Sequence, residues 1–365
     1  MDSAATDTGS FETARGAIRP VDGSAASAAA EHHDRLTKPR GSLGRLEELG
    51  VQLSAIAGTC PPPVPEPVAV VVFAGDHGVV AEGVTPWPQE VTAQMVANFC
   101  AGGAAINVLA RHVGAEVVVV DVGVATPVPG DDGSETLLRR NVRRGTRNLA
   151  REPAMTPQEA MAALDVGAAV AAAVVGRGAR LLVTGDMGIG NTTASAALIA
   201  ALTGRSATQV TGRGTGVDDT TLARKVSVVE QALARVPAGA GPLVVLAELG
   251  GLEIAALCGF IVGGAAAGVP VVVDGVIAAA AALVARAFAP DVPGYLVAGH
   301  RSSEPGASVA LDVLGLEPVL DLGMRLGEGS GAALAVSVVQ AAAKVLGEMA
   351  TFDSAGVTDK GDPRP

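Results

Sequence analysis

The stretch LLVTGDMGIGNTTASAAL, residues 181–198, decides the fold class of this chain and opens the question of its function. An apolar run stops at Gly185 and Asp186, two further glycines follow, and an alanine-rich helical pattern begins after Asn191. A strand, a glycine-rich turn and a helix in this order suit a phosphate, because amides at a helix start and the helix dipole favour an anion. A P-loop needs Lys and then Ser or Thr where Asn191 and Thr192 stand. The stretch therefore predicts a turn that holds phosphate without Mg²⁺-nucleotide chemistry.

The same order of apolar run, glycine or aspartate, and helical stretch recurs along the chain. Continuous aliphatic runs that alternate with helical patterns indicate parallel strands buried on both faces of a sheet. Ligands of such sheets bind beyond the carboxyl ends of the strands, and polar residues gather at those ends here. We predict an α/β open sheet with strands at 68–73, 117–120, 181–183, 271–273, 295–297 and 319–320.

Composition and charge exclude several classes of protein. The chain has 365 residues, 49% of them hydrophobic, and only six Phe, one Trp and one Tyr, so its core must be aliphatic. A formal net charge of −11 argues against non-specific nucleic-acid binding. Three widely spaced cysteines fit neither a disulfide framework nor a zinc site, and the N-terminus lacks the apolar region of a signal peptide. We expect a cytoplasmic protein.

Residues 254–273 contain no charge and are long enough to span a bilayer. Four glycines and Pro270 interrupt this run, and Asp274 follows it at once. We therefore predict a buried helix that ends at Gly268, followed by a strand through Val273, and no membrane segment.

Arginines crowd one segment, at positions 139, 140, 143, 144, 147 and 151. They could form an anion-binding patch, or a solvated excursion beside the acidic Asp131, Asp132 and Glu135. We favour the solvated excursion, because charge runs usually lie on the surface.

Three further loops carry candidate functional residues: TGRGTGVDD (211–219), AGHRSSEPG (298–306) and DLGMRLGEGSGAALA (321–335). Each also has an ordinary explanation. The first could be a surface loop and the second a helix cap formed by Ser302 or Ser303. In the third, Glu328 could simply face the dipole of the following helix. The glycines on both sides of Glu328 nevertheless leave room for a substrate to approach its carboxylate. His77 stands at a strand tip without a second histidine or a cysteine pair at ligand spacing, so we predict no metal and no cofactor.

The ordered set of motifs resembles one family, the nicotinate-nucleotide:dimethylbenzimidazole phosphoribosyltransferases. The likeness covers roughly residues 30–350, and GDMGIGNTT together with LGEGSGAALA is highly specific. The motifs are KPRGSLGRLEELG (38–50), FAGDHGV (73–79), PQEVTAQMVANF (88–99), GDMGIGNTT (185–193), GRGTGVDD (212–219), LGGLEIAALCG (249–259), HRSSEPG (300–306) and LGEGSGAALA (326–335).

The resemblance implies the architecture and the reaction. Family members have a Rossmann-like, mainly parallel sheet flanked by helices, with a small helical domain built from the chain ends, and they form homodimers. This implies an α/β catalytic domain at 61–335 and a small domain at 31–60 plus 336–365, after a lead-in at 1–30 that we expect to be poorly ordered. Members move phosphoribose from nicotinate mononucleotide to 5,6-dimethylbenzimidazole, with inversion at C1′, and so make α-ribazole 5′-phosphate and nicotinate for cobalamin. The implied partners are these small molecules, not nucleic acid or membrane.

The resemblance also implies roles for individual residues. Glu328 matches the family's catalytic base. The substrates would be bordered by Asp186, Gly188, Gly190, Asn191, Thr192, Gly214, Thr215, Gly216, Lys225, Ser302, Ser303 and Gly327. Some members carry glutamate where Asp186 stands, and the acceptor-pocket residues between Trp87 and Met95 vary in the family, so the preferred acceptor base is not predicted.

Two other classes of function remain as alternatives. A nucleotide sensor with this fold would lack the catalytic base. Glu328 is present, which argues against this alternative. A P-loop NTPase needs Lys in place of Asn191, and a Rossmann oxidoreductase needs a third glycine in place of Thr193.

Overall fold

The computed structural model describes residues 10–128 and 137–359 of the chain. In this part of the chain the strands form a single sheet in the order β3-β2-β1-β4-β5-β6, and every neighbouring pair is parallel. The strands are β1 (Val68–Gly75), β2 (Glu116–Gly123), β3 (Leu137–Arg139), β4 (Leu181–Met187), β5 (Val271–Val273) and β6 (Leu296–Ala298). This is the order of doubly wound nucleotide-binding sheets, so the predicted Rossmann-like parallel sheet is confirmed.

Helices pack on both faces of this sheet. They are α1 (Ser10–Ala17), α2 (Gly23–Arg35), α3 (Arg45–Ala57), α4 (Glu90–Cys100), α5 (Ala105–His112), α6 (Pro157–Gly176), α7 (Asn191–Thr203), α8 (Ala207–Val210), α9 (Asp219–Leu233), α10 (Pro242–Leu249), α11 (Leu252–Ala266), α12 (Val276–Phe288), α13 (Pro305–Leu314), α14 (Ser330–Glu348) and α15 (Phe352–Ala355).

Both faces of the sheet are buried, as the continuous apolar runs predict. Along β1, Val71 and Phe73 pack into a core with α6, α7, α11 and α12, whereas Val70 and Val72 pack into a second core with α3, α4, α5 and α14. Successive side chains of a strand point to opposite faces, so a strand between two cores must be apolar at every position. All eight residues of β1 are buried.

The charge-free run at 254–273 forms a buried helix and a strand, as predicted. It supplies most of α11, which ends at Ala266, and then β5. Helix α11 lies against α6 at very close range, because Cβ atoms added at Gly167 or Gly259 would overlap backbone carbonyls of the opposite helix. The glycines that interrupt the apolar run thus allow two helices to pack closely.

Three other stretches are long and apolar enough to cross a membrane by length and composition alone: Glu90–His112, Pro157–Gly176 and Ser330–Glu348. The first includes α4 and α5, which are separate helices in the fold. In each stretch, apolar side chains belong to the cores on either face of the sheet. This packing accounts for the apolar character of these helices.

Three features differ from the expectations drawn from the sequence. Residues 10–30, expected as part of a poorly ordered lead-in, form α1 and the first part of α2. Phe11 is fully buried, with its ring centroid 5.1 Å from that of Phe288, and this apolar contact fixes α1. Residues 319–320 form no strand, because only one bridge, between Leu320 and His300, continues the sheet there. Strand β3 was not predicted, since three residues beside an arginine run carry too little pattern.

The chain ends meet in a small helical layer. Ala29 and Leu36 pack with Leu346 of α14 in a separate apolar cluster, and Leu36 pairs with Thr351 in an antiparallel bridge. Helix α14 continues from this layer into the core beside the sheet. The boundary predicted at residue 335 falls inside α14, and the division into two domains stays a prediction.

Arginines of the basic segment pair with carboxylates elsewhere in the fold. Arg147 lies 2.7 Å from Glu159, and Arg151 lies 2.8 Å from Glu82. Arg143 also contacts Glu159, at 3.4 Å. These three arginines are therefore engaged in ion pairs within the protein. The acidic positions 131, 132 and 135 lie outside the described residues.

Candidate active site

A cavity of about 340 Å³ lies beyond the carboxyl ends of the central strands, on the side where doubly wound sheets bind ligands. Nine predicted residues line it: Asp186, Gly188, Asn191, Thr192, Gly214, Thr215, Ser302, Gly327 and Glu328. Four other predicted residues are outside the cavity lining: Gly190, Gly216, Lys225 and Ser303. Segments that are distant in sequence thus converge on one site.

The turn between β4 and α7 forms one wall of the cavity. A Cβ added at Gly188 would overlap the carbonyl oxygen of Gly75 at the end of β1, so only glycine fits there. Gly190 adopts a φ of 96°, which glycine tolerates, and no side chain caps the helix start that follows. The amides of Asn191 and Thr193 bond to the carbonyls of Gly188 and Gly190, so the helix dipole, rather than those two amides, suits this wall to the anion predicted from the sequence.

The loop at 212–217 forms the facing wall. Gly214 and Gly216 have φ angles of 55° and 114°, and the Gly214 amide donates a 2.7 Å hydrogen bond to Glu304. The Glu304 carboxylate also lies against Gly212, where a Cβ would overlap it. Glu304 therefore shapes this loop. Glu304 belongs to the candidate loop 298–306, but the sequence does not indicate its contact with the 212–217 loop.

Lys225 connects the two walls on the side away from the cavity. Its ammonium group donates to Thr192 Oγ1 at 3.1 Å and to the Gly212 carbonyl at 3.0 Å. The side chain is buried, and burial lowers the pKa of Lys225, whereas the nearby charge of Glu304 opposes that change. One cation thus sits behind both glycine-rich loops without opening into the cavity.

Glu328 has unusual backbone geometry. Among the described residues other than glycine it alone has a positive φ, 66°, and it stands between Gly327 and Gly329 at 82° and 93°. A non-glycine residue in this region costs about 1–3 kcal/mol and persists only where its surroundings hold it. Asp274 does so, because its carboxylate accepts hydrogen bonds from the amides of Gly329 (3.2 Å) and Ala332 (2.9 Å).

The carboxylate of Glu328 is suited to accept a proton. It is buried at the cavity wall, and Oε2 has no hydrogen-bond partner in the described part of the protein. Burial raises the pKa of Glu328, and the negative charge of Asp274 raises it further. A hydrogen bond from the amide of Ile106, at the start of α5, lowers the pKa but does not cancel the rise. A carboxylate with a raised pKa is a stronger base.

Asp186 is a second buried acid in the cavity. Its Oδ1 accepts a 3.0 Å hydrogen bond from Asn191, and its Oδ2 has no partner among the described residues. Burial raises the pKa of Asp186 well above its usual range, and the negative charges of Asp274 and Glu253 raise it further. These surroundings favour the neutral carboxyl of Asp186, a form that can donate a hydrogen bond.

A fully buried pair lies beneath the β4–α7 turn. His77 Nε2 and Glu253 Oε1 are 2.6 Å apart, and a Cβ at Gly188 would lie 3.4 Å from each of these atoms. Burial alone would lower the pKa of His77, but the charge and hydrogen bond of Glu253 outweigh it and the pKa is raised. Across residues 10–128 and 137–359, no group of three His, Cys, Asp or Glu side chains is arranged to hold a metal ion.

Several lining residues were absent from the sequence-based set. An apolar side is formed by Met187, Val276, Ile277 and Leu326, together with Trp87, Val91 and Met95 from the segment that the resemblance had marked as variable. His300 and Arg325 add polar groups, with His300 Nε2 at 3.4 Å from Asp274 Oδ1 and Arg325 Nη1 at 3.4 Å from the Gly214 carbonyl. The position of His300 and Val276 just after strands was the available signal.

Comparisons with known proteins find relatives along almost the whole chain. A family model described as phosphoribosyltransferase matches residues 18–357. A relative from Salinispora tropica is 58% identical over 362 residues, covering 96% of this chain and all of the relative. A relative from Chloroflexus aurantiacus is 55% identical over 344 residues, covering 94% of this chain and 97% of its own. Both are named nicotinate-nucleotide–dimethylbenzimidazole phosphoribosyltransferase.

A solved structure from Thermus thermophilus, which carries the corresponding enzyme name in its description, is similar over almost its whole length. It has a TM-score of 0.88 and 49% sequence identity, and the match covers 93% of this chain and 99% of that one. The similarity therefore extends over both the sheet and the helices around it.

Proposed function

Because this chain belongs to the nicotinate-nucleotide–dimethylbenzimidazole phosphoribosyltransferase family and carries out that phosphoribosyl transfer in cobalamin biosynthesis, we propose that Glu328 is the general base. Its carboxylate takes the proton from one nitrogen of 5,6-dimethylbenzimidazole. The other nitrogen attacks C1′ of nicotinate mononucleotide. The bond from C1′ to the nicotinate nitrogen breaks, its electron pair leaves with nicotinate, and inversion gives α-ribazole 5′-phosphate.

One observation carries this proposal: the held, positive-φ backbone of Glu328 places a buried carboxylate with a raised pKa at the cavity wall. The leaving group needs little help, because the nicotinate nitrogen is cationic in the donor and becomes neutral as it departs. The step that most needs catalysis is therefore the removal of a proton from the acceptor. A positioned base typically contributes about 10²–10⁴-fold to such a step.

The nucleotide lies, in this proposal, between the two glycine-rich walls. The dipole at the start of α7 faces the 5′-phosphate, and Thr192 and Thr215 offer hydroxyls to the phosphate and ribose, with Ser302 at the border. Lys225 stabilises that phosphate from behind, through Thr192 and the loop backbone. Arg325 adds a guanidinium at the cavity wall. No phosphoryl group is transferred, so the lysine of a P-loop is not required.

The acceptor base lies on the apolar side of the same cavity. Trp87, Val91, Met95, Met187 and Leu326 provide a surface suited to a flat aromatic base, which gains by leaving water. Asp186, whose buried surroundings raise its pKa and favour the neutral carboxyl, supplies a hydrogen-bond donor at the border between this side and the nucleotide. The two substrates are thus held next to each other, with Glu328 beside the acceptor.

We also propose that the chain works in the cytoplasm as a homodimer, on small molecules and without nucleic-acid or membrane partners. The net charge of −11 is unfavourable for nucleic acid, and the long apolar helices pack on the sheet. Val108 on α5 and Leu322 are large exposed apolar residues available for a subunit contact. Light scattering tests the assembly, with a mass of twice the 36.0 kDa chain expected and a single-chain mass contradicting it.

The reaction is tested by incubating the purified chain with nicotinate mononucleotide and 5,6-dimethylbenzimidazole, without added metal, and separating the products. We expect nicotinate and α-ribazole 5′-phosphate in equal amounts. A β-configured product would contradict inversion. Nicotinate released with ribose 5-phosphate would mean that water, rather than the base, is the acceptor.

A further inference from the structure

Trp87 occupies a distinctive place at the mouth of the cavity. It is the one tryptophan of the chain, and it stands between two prolines in the segment that leads into α4. The side chain lines the cavity, yet 49% of the residue's surface remains exposed. A large aromatic side chain left half in solvent beside a binding cavity is available to cover a ligand.

The indole also reaches across to the nucleotide wall. Its Nε1–H donates a 3.0 Å hydrogen bond to Oγ1 of Thr215, 128 positions later in the chain. Thr215 lies between Gly214 and Gly216, both at positive φ, in the loop proposed to hold the nucleotide. One hydrogen bond thus connects the acceptor side of the cavity with the nucleotide side.

The segment that carries Trp87 is fastened at both ends to the nucleotide side. Arg224 of α9 donates to the Gly83 carbonyl at 3.2 Å, and the Ile189 amide of the β4–α7 turn donates to Thr92 Oγ1 at 3.1 Å. Between these anchors the segment has little freedom, because Pro residues restrict the backbone on each side of Trp87. The indole–hydroxyl contact is a third connection to the nucleotide side, and it lies between these two anchors at the mouth of the cavity.

We propose that the Trp87–Thr215 hydrogen bond couples the binding of the two substrates. An aromatic acceptor that packs on the indole of Trp87 keeps the indole N–H hydrogen-bonded to Thr215. This hydrogen bond in turn holds the 212–217 loop in the conformation that contacts the nucleotide. Each substrate then increases the affinity for the other by the same factor, because binding coupling is reciprocal. The inference deepens the proposed function and rests on its assignment of the two sides of the cavity.

The coupling is measured from initial rates over a grid of both substrate concentrations, which gives the factor by which one substrate changes the apparent affinity for the other. One neutral hydrogen bond accounts for an affinity change of about 3- to 10-fold. Trp87→Phe keeps an aromatic face without the N–H donor, and Thr215→Val keeps the branched shape without the acceptor oxygen. We expect either substitution to remove the coupling, and the double variant to behave like each single variant.

Thr220→Val is the matched control, because Thr220 is an exposed threonine of the neighbouring α9, and it should retain wild-type coupling. Wild-type coupling in Thr215→Val and Trp87→Phe would overturn the inference while leaving the reaction assigned. Additive effects of the two substitutions would also overturn it. Absence of transfer in the wild-type protein would instead refute the function.

A second measurement does not depend on turnover. Since Trp87 is the sole tryptophan, indole fluorescence reports on this position alone. Nicotinate mononucleotide added without acceptor should change the emission of the wild-type protein through the 212–217 loop. The change should be smaller in Thr215→Val. An equal change in both proteins would overturn the inference.

Discussion

Replacing Lys225 by methionine tests how the two glycine-rich walls hold the nucleotide. The substitution keeps a long unbranched side chain and removes an ammonium group that donates to Thr192 and Gly212 at 3.1 and 3.0 Å. It also leaves the carboxylate of Glu304 without the cation that faces it. The negative charge of Glu304 then acts on the bound phosphate without the charge of Lys225 to offset it.

The size of the effect follows from these contacts. Hydrogen bonds to charged groups contribute about 1.5–3 kcal/mol each, and about half of the total for these two bonds stabilises the loops in the free protein as well. If about 1.4–2.8 kcal/mol of it is lost from nucleotide binding, affinity for nicotinate mononucleotide falls about 10- to 100-fold. The KM for the acceptor should change little, because Lys225 contacts only the two nucleotide walls, at Thr192 and Gly212.

Steady-state kinetics with each substrate varied in turn, together with thermal unfolding, provides the assay. Lys344→Met is the matched control, since Lys344 is an exposed lysine on α14. Thr192→Val removes one of the two oxygen partners and should show a smaller loss. The reasoning is refuted if Lys225→Met is folded and binds nicotinate mononucleotide as tightly as the Lys344→Met protein does.

Three further predictions concern the same site. Asp186 has a folded-state pKa raised above its unfolded value, so the stability it contributes is present below the unfolded pKa and is lost as pH rises through the folded one. Asp186→Asn should therefore gain stability over wild type as pH rises, and a gap in urea unfolding that is constant with pH would contradict this. The kcat of the wild-type enzyme should fall as Glu328 is protonated, with a midpoint above the usual glutamate range, because its pKa is raised; a rate that is flat through that range would argue against Glu328. Gly188→Ala should lower kcat/KM by about 10²-fold, because the added Cβ displaces the β4–α7 turn, whereas Gly16→Ala in the open part of α1 should have no effect.

Local patterns in the sequence were sufficient for most of the sheet. Each of the strands β1, β2, β4, β5 and β6 is a short aliphatic run followed by glycine or a polar residue, and burial on both faces makes such runs continuous. The charge-free run at 254–273 could be assigned to a buried helix because its glycines mark close packing. Strand order, by contrast, depends on which strands pair, and spacing along the chain does not determine it.

The errors occur where a tertiary contact overrides a weak local pattern. The segment at 10–30 is rich in small residues, and its first helix is fixed by Phe11 against Phe288. Residues 319–320 have a strand-like composition, but the sheet extends to them through one bridge only. Strand β3 pairs only with β2 at the sheet edge, over three residues. None of these contacts is visible in the local sequence.

The site was predictable in its backbone and less so in its side chains. Glycines at 188, 190, 214, 216 and 327 signal turns that approach a ligand, and they were found by pattern. Glu304, His300 and Arg325 lie in the candidate loops 298–306 and 321–335 but were not predicted individually, because their places in the cavity wall depend on loops that meet only in the folded protein. The raised pKa of Asp186 likewise depends on Asp274 and Glu253, which are distant in sequence.

The most direct test of the central claim is the Glu328→Gln substitution, with binding and turnover measured on the same protein. Glutamine keeps the size of the side chain and cannot take the acceptor's proton, so kcat should fall by about 10²–10⁴-fold while the Kd for nicotinate mononucleotide stays close to that of wild type. Glu348→Gln, at the exposed end of α14, should change neither quantity. Full turnover in Glu328→Gln, or equal losses in binding and rate, would contradict the assignment of Glu328 as the general base.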